Sequence, residues 1–256
     1  YLLWLGIRPG EVGSYQLPIW SEFAMLTIAC YKIGAVAHPI AMSYEEKELA
    51  RSLNVTESRC YFGPTFFYKT DYEERILAVR DQVPLLKDVV LIDSVRERKS
   101  NVPLLREILA SCEPLPKERC VHTKNGQDIA VILCTSGTTG GTKGVLLTHD
   151  NVRYSEDTFN RELGLTEEDI MFMPAPLHHA TGFHHAIIAP MLHGAKVVLQ
   201  QKYQCRSAIE LMNREKVTYS MGATPFIYDI LRELETNGGA VPTLKFYLCG
   251  GALVPG

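Results

Sequence analysis

Apolar and polar positions along this chain follow two rhythms. After Pro18, Trp20, Phe23, Ala24, Ile28 and Tyr31 recur near helical spacing until Gly34, which predicts a helix with proline in its first turn. Short β-branched and aromatic runs predict strands at residues 35–39, 60–62 and 89–92. Between them, Ser43 and Glu46 fit a capping box opening a helix to about Asn54, and another helix is expected from about Asp71 to Gln82. Helix alternating with strand implies an α/β fold, a parallel sheet covered by helices on both faces.

The pattern weakens over residues 94–127, where the charged run Arg96-Glu97-Arg98-Lys99, a short helix near residues 104–110, and Pro114 and Pro116 stand. A boundary is expected near Cys120, giving α/β subdomains at residues 1–120 and 121–256. Alternation then resumes: a strand at 129–133, a helix from Asp150, a strand at 170–173, a helical stretch ending near Gly194, and a strand at 196–199. Next come a helix at 207–215, a strand at 217–221, a helix capped by Thr224 with Pro225 first and stopped by Asn237-Gly238, and a strand at 244–249. Open parallel sheets bind ligands at the carboxyl ends of their strands. The loops after Leu133, Met173, Met221 and Cys249 are therefore expected on one sheet, forming one site.

The chemistry concentrates at residues 128–151, DIAVILCTSGTTGGTKGVLLTHDN. Thr135, Ser136, Gly137, Thr138, Thr139, Gly140, Gly141 and Thr142 form a loop between two apolar runs, closed by Lys143 and Gly144. Glycines let backbone N–H groups turn inward, hydroxyls add donors and the lysine adds a point charge, a combination that cradles polyphosphate. A Walker A loop needs Gly before the Lys and Ser or Thr after it, whereas Thr142 precedes Lys143 and Gly144 follows. That reading fails, and the dinucleotide G-x-G-x-x-G spacing is absent as well.

The loop closely resembles the signature T-S-G-[ST]-T-G-x-P-K-G of the acyl-adenylate-forming superfamily: acyl-CoA synthetases, peptide-synthetase adenylation domains and luciferases. Thr142 stands where the usual proline would be. Residues 5–40 are similar to the superfamily's first block, with Glu11 for the usual Asp and Ile19 for the usual Asn. The stretch Pro176 to Gly182 matches P-L-x-H-x-x-G, with His179 as its histidine, and Gly250-Gly251-Ala252 matches the G-G-A turn. The blocks follow the superfamily's order over nearly the whole chain.

The resemblance implies two similar subdomains of a large amino-terminal domain, with parallel sheets flanked by helices. It implies an acid–thiol ligase that uses ATP with Mg²⁺ to convert a carboxylic acid to an acyl-adenylate, then passes the acyl group to coenzyme A. Lys143 and His179 would be catalytic; Thr135, Ser136, Gly137, Thr138, Thr139, Gly140, Lys143, Gly250, Gly251 and Ala252 would hold the nucleotide. Position at strand ends makes Phe183, Met221, Gly222 and Ala223, with His179, candidates for the acyl pocket, and Phe226 a further one. Residues 221–226 are similar to the segment in synthetases for medium-chain or cyclohexanecarboxylic acids. The chain is expected to be the amino-terminal piece of a longer protein, ending before the superfamily's Mg²⁺-binding glutamate, ribose-binding aspartate and carboxy-terminal lysine. Two alternatives are an adenylation domain that loads a carrier protein and a truncated, non-catalytic nucleotide-binding module.

Composition removes other classes. An apolar share of 46% in 256 residues suffices for a core, and a net charge of −3 with mixed signs offers no basic face for nucleic acid. Seven scattered cysteines without C-x-x-C spacing suggest neither disulfides nor zinc, and point to a reducing cytoplasm. No apolar run approaches membrane-spanning length. His178, His179, His184 and His185 come without H-E-x-x-H or a flanking acid, so no metal-ligand set is expected. Cys134, without a paired histidine in its sequence context, reads as core.

Overall fold

The computed structural model describes residues 1–94, 96–114, 125–136 and 142–250. It divides into two compact units, one of residues 1–17 and 21–150, the other of residues 18–20 and 151–256.

The first unit is built on a six-stranded sheet. Its strands are β1 (Val12–Tyr15), β2 (Val36–Pro39), β3 (Cys60–Pro64), β6 (Asp88–Ile92), β7 (Ile129–Ser136) and β8 (Thr142–Thr148), in the order β6-β3-β1-β2-β7-β8. All pairs are parallel except β7–β8, an antiparallel pair, so a hairpin closes an otherwise parallel sheet. Helices α1 (Ser21–Lys32), α2 (Glu46–Val55), α3 (Tyr72–Val79) and α4 (Leu105–Ser111) connect the strands, with a small hairpin of β4 (Phe66–Phe67) and β5 (Thr70–Asp71) before α3. Ile40, Leu49, Leu53, Tyr61, Ile76, Val79 and Leu91 form a core beneath α2 and α3.

Local chemistry departs from expectation at three starts. Pro18 precedes α1, which begins at Ser21. The Ser43–Glu46 capping box is replaced by one two residues later, where Glu48 Oε2 accepts from the Glu45 N–H at 3.0 Å, because the chain turns helical only at Glu46. Strand β1 was not expected, since Gly13 and Ser14 interrupt any apolar alternation. The glycine keeps the packing close there: a Cβ on Gly13 would meet Cys30 Sγ at 3.1 Å, so the sulfur would have to shift by a few tenths of an ångström.

The second unit has a four-stranded parallel sheet, β10-β9-β11-β12, from β9 (Ile170–Met173), β10 (Lys196–Leu199), β11 (Tyr219–Gly222) and β12 (Phe246–Cys249). Helix α5 (His149–Glu162) leads into this unit. Then α6 (Ala180–Phe183), a π-helical turn (His184–Ile188) and α7 (Ala189–His193) run on as one helical stretch, ended by Gly194 at φ 77°. Helices α8 (Cys205–Glu215) and α9 (Thr224–Asn237) pack Ala208, Met212 and Ile230 with Phe172, Val198 and Val217. Ala223, not Thr224, takes the cap position of α9, with Pro225 in its first turn.

The boundary expected near Cys120 lies outside the described residues, and the division falls at Asp150 instead. The cause is a long-range pairing of Ala37 with Val131, which joins β7 and its hairpin to the first sheet. The expected single sheet of four loop-bearing strand ends is corrected by the same pairing. The loop after Leu133 belongs to the six-stranded sheet, and those after Met173, Met221 and Cys249 to the four-stranded one.

Candidate functional site

In the first unit, β7 and β8 present the glycine- and threonine-rich loop. Thr135 pairs with Lys143 and Ser136 with Thr142 in register, so the two strands hold both ends of the loop at hydrogen-bonding distance. The side chains of Thr135 and Lys143 are exposed. Gly137, Thr138, Thr139 and Gly140 lie outside the described residues. Gly144 follows the lysine because a Cβ there would stand 2.8 Å from Ile132 Cγ2 across the hairpin.

A buried polar cluster supports the root of this hairpin. His38, on β2, is fully buried; its Nδ1 lies 2.8 Å from Ser14 Oγ and 3.3 Å from Thr56 Oγ1. Its Nε2 lies 3.2 Å from Ser52 Oγ and 3.4 Å from Cys134 Sγ. Burial lowers the His38 pKa to about 3, so the ring is neutral and divides its nitrogens between donor and acceptor. Cys134 is thus half-buried in a polar cluster, not in apolar core, and a histidine does stand beside it. It is no activated nucleophile: burial raises its thiol pKa, and the histidine is held neutral.

In the second unit, three strand ends share the carboxyl edge of the sheet. Gly222, ending β11, is buried; a Cβ there would meet Tyr247 Oη at 2.6 Å, Phe226 Cδ2 at 3.0 Å and Pro174 Cγ at 3.1 Å. The Gly250 N–H reaches the Gly222 carbonyl at 3.3 Å, and Met221 Cε would lie 3.8 Å from a Cβ on Gly250. Met221 and Ala223 are half-buried, while Phe183 is wholly buried in the packing of α6. Gly251 and Ala252 lie outside the described residues.

His179 is exposed and sits at the N-cap of α6, where its Nδ1 accepts from the Thr181 N–H at 3.4 Å. The motif's glycine has a packing cause, since a Cβ on Gly182 would run into the carbonyl of Pro176. His178 is lowered to about 4, first by burial and then by His179.

The residue pattern did not point to Glu156. This α5 carboxylate is fully buried, with His184 Nδ1 3.1 Å from Oε1 and His185 Nδ1 3.0 Å from Oε2. Burial alone would raise its pKa, but the two histidines outweigh it and hold the carboxyl at about 2. The acid comes 28 residues before His184 in the chain, so only the fold joins them. Among the described residues, no group of three or more His, Cys, Asp or Glu could hold a metal, and no helix is long and apolar enough to cross a membrane.

The chain belongs to the AMP-binding enzyme family, whose match runs over residues 1–256. It is 39% identical over 255 residues to a medium-chain fatty-acid–CoA ligase of Escherichia coli K12, covering 100% of this chain and 44% of that protein. The inhibitor-bound N-terminal domain of FACL13 from Mycobacterium tuberculosis has the same fold, with a TM-score of 0.84 at 23% identity over 99% of this chain and 60% of that one. ATP-bound MatB from Rhodopseudomonas palustris superposes with a TM-score of 0.82 at 22% identity, over 98% of this chain and 46% of that one. The chain thus spans less than half the length of the E. coli relative.

Proposed function

We propose that this chain is the amino-terminal part of a cytoplasmic, AMP-forming acyl-CoA ligase. The match to the AMP-binding family from end to end is the observation that carries the reading. The ordered blocks and the hairpin that sets Lys143 opposite Thr135 agree with it.

In the first step a carboxylate oxygen attacks the α-phosphorus of ATP, the bond to the bridging oxygen breaks, and pyrophosphate leaves. Negative charge grows on that leaving group. Lys143, the hydroxyls of Thr135, Ser136, Thr138 and Thr139, and the loop N–H groups would stabilise it, so catalysis here is positioning and electrostatics. His179 would stand between phosphate and acid, and Gly250, Gly251 and Ala252 against the nucleotide. In the second step the thiol of coenzyme A displaces AMP. Mg²⁺ would offset phosphate charge when bound. Among the described residues no group of three or more His, Cys, Asp or Glu stands together to hold it.

Met221, Gly222, Ala223 and Phe183 would form the acid's pocket. Ala223 would leave room there for a short chain, whereas the space beside Gly222 is taken by Tyr247, Phe226 and Pro174; a medium-chain acid is in keeping with the E. coli relative's name. Acid-dependent exchange of pyrophosphate into ATP by the full-length protein tests the reading. A phosphopantetheinyl carrier used in place of coenzyme A would transfer it to the carrier-loading class.

A further inference from the structure

Glu156 belongs to none of the motifs, yet it is a fully buried acid in the second unit. A buried carboxylate needs partners; this one hydrogen-bonds His184 through Oε1, while His185 Nδ1 stands 3.0 Å from Oε2 at angles that make no hydrogen bond. Neighbours on an α-helix point about 100° apart. Here His184 and His185 reach one oxygen each of a single carboxylate, at the start of the π-helical turn. Such turns widen the helix and recur at functional sites.

Helix α5 grips the same stretch at two further points. The Phe159 ring lies 4.4 Å from the His185 ring, and Asn160 Nδ2 donates to the Ala189 carbonyl at 2.9 Å. On the sheet side, burial first, and then the charges of Asp169 and Glu156, push up the pKa of Tyr219, two residues before Met221. Backbone bonds carry the hold back towards the motif: the His184 N–H bonds to the Ala180 carbonyl, and the Phe183 N–H to the His179 carbonyl at 2.8 Å.

We propose that Glu156 is the positioning residue of the acid-binding half of the site: by pinning His184 and His185 it fixes residues 179–188 and sets the orientation of His179. Its kinetic consequence rests on the acyl-CoA ligase reading; its structural consequence does not. Glu156→Gln loses the charge both histidines meet. Asp157→Asn, one residue away and exposed beside Arg153, serves as the control.

The experiment uses the full-length protein, with hexanoate and ATP varied in pyrophosphate exchange, and hydrogen exchange followed on the same samples. In Glu156→Gln the KM for hexanoate is expected to rise about tenfold or more while that for ATP stays within about twofold. Amide protection over residues 180–188 should fall about tenfold with that over 224–237 unchanged. Glu156→Asp, which keeps the charge but retracts it, carries the same two readouts if the Gln variant does not fold. Equal losses for hexanoate and ATP, or unchanged protection over 180–188, would overturn the proposal. If the wild type shows no acid-dependent exchange, the ligase reading fails, and the protection of residues 180–188 alone still decides the role of Glu156.

Discussion

Tyr247 stands so close to Gly222 that a Cβ on the glycine would lie 2.6 Å from the tyrosine hydroxyl, with Phe226 and Pro174 closing the other sides. Gly222→Ala therefore overpacks the carboxyl edge of the second sheet. We expect it to destabilise the protein by about 1–3 kcal/mol. Equilibrium unfolding checks this, and Gly222→Ala combined with Tyr247→Phe should recover part of the loss because the nearest atom is gone.

Lys143 is exposed, and on the proposed reading it would meet the leaving pyrophosphate, so Lys143→Ala should leave unfolding unchanged. A hydrogen bond to a charged group is worth about 1.5–3 kcal/mol, which predicts a loss of about 10- to 100-fold in pyrophosphate exchange. Wild-type exchange in this variant would remove the lysine from the mechanism.

His38 predicts a pH dependence of stability in the first unit. Its pKa falls from 6.5 to about 3 in the fold because burial penalises the charged ring. Between those values the unfolded chain binds a proton that the folded chain does not, so stability is complete above 6.5 and is lost as pH falls towards 3. The slope from one such group reaches about 1 kcal/mol per pH unit. Chemical denaturation at several pH values should show it, and His38→Gln should flatten it. Glu156, held at about 2, begins to lose its contribution only below 4.5, so the slope between 6.5 and 4.5 reports His38 without it.

The sequence made most elements legible, because apolar spacing and Gly or Pro stops are local. It left out β1, whose Gly13 and Ser14 are chosen for Cys30 and for the His38 cluster. It placed four loops on one sheet, because the pairing of Ala37 with Val131 has no local signature. In the candidate site, the glycines at 144, 182 and 222 were legible as motif, and their causes emerge only as close approaches in space. The Glu156 contacts with His184 and His185 were illegible for the same reason: residues so far apart in the chain become neighbours only when α5 packs on the π turn.

The most direct test of the central claim is an acid panel in pyrophosphate exchange with the full-length protein. Exchange is expected with hexanoate and cyclohexanecarboxylate and little with amino acids, since no acidic residue in the Met221-Gly222-Ala223 segment pairs an α-ammonium group, and burying that cation unpaired costs several kcal/mol. Exchange driven best by amino acids, or none with any acid, would contradict it.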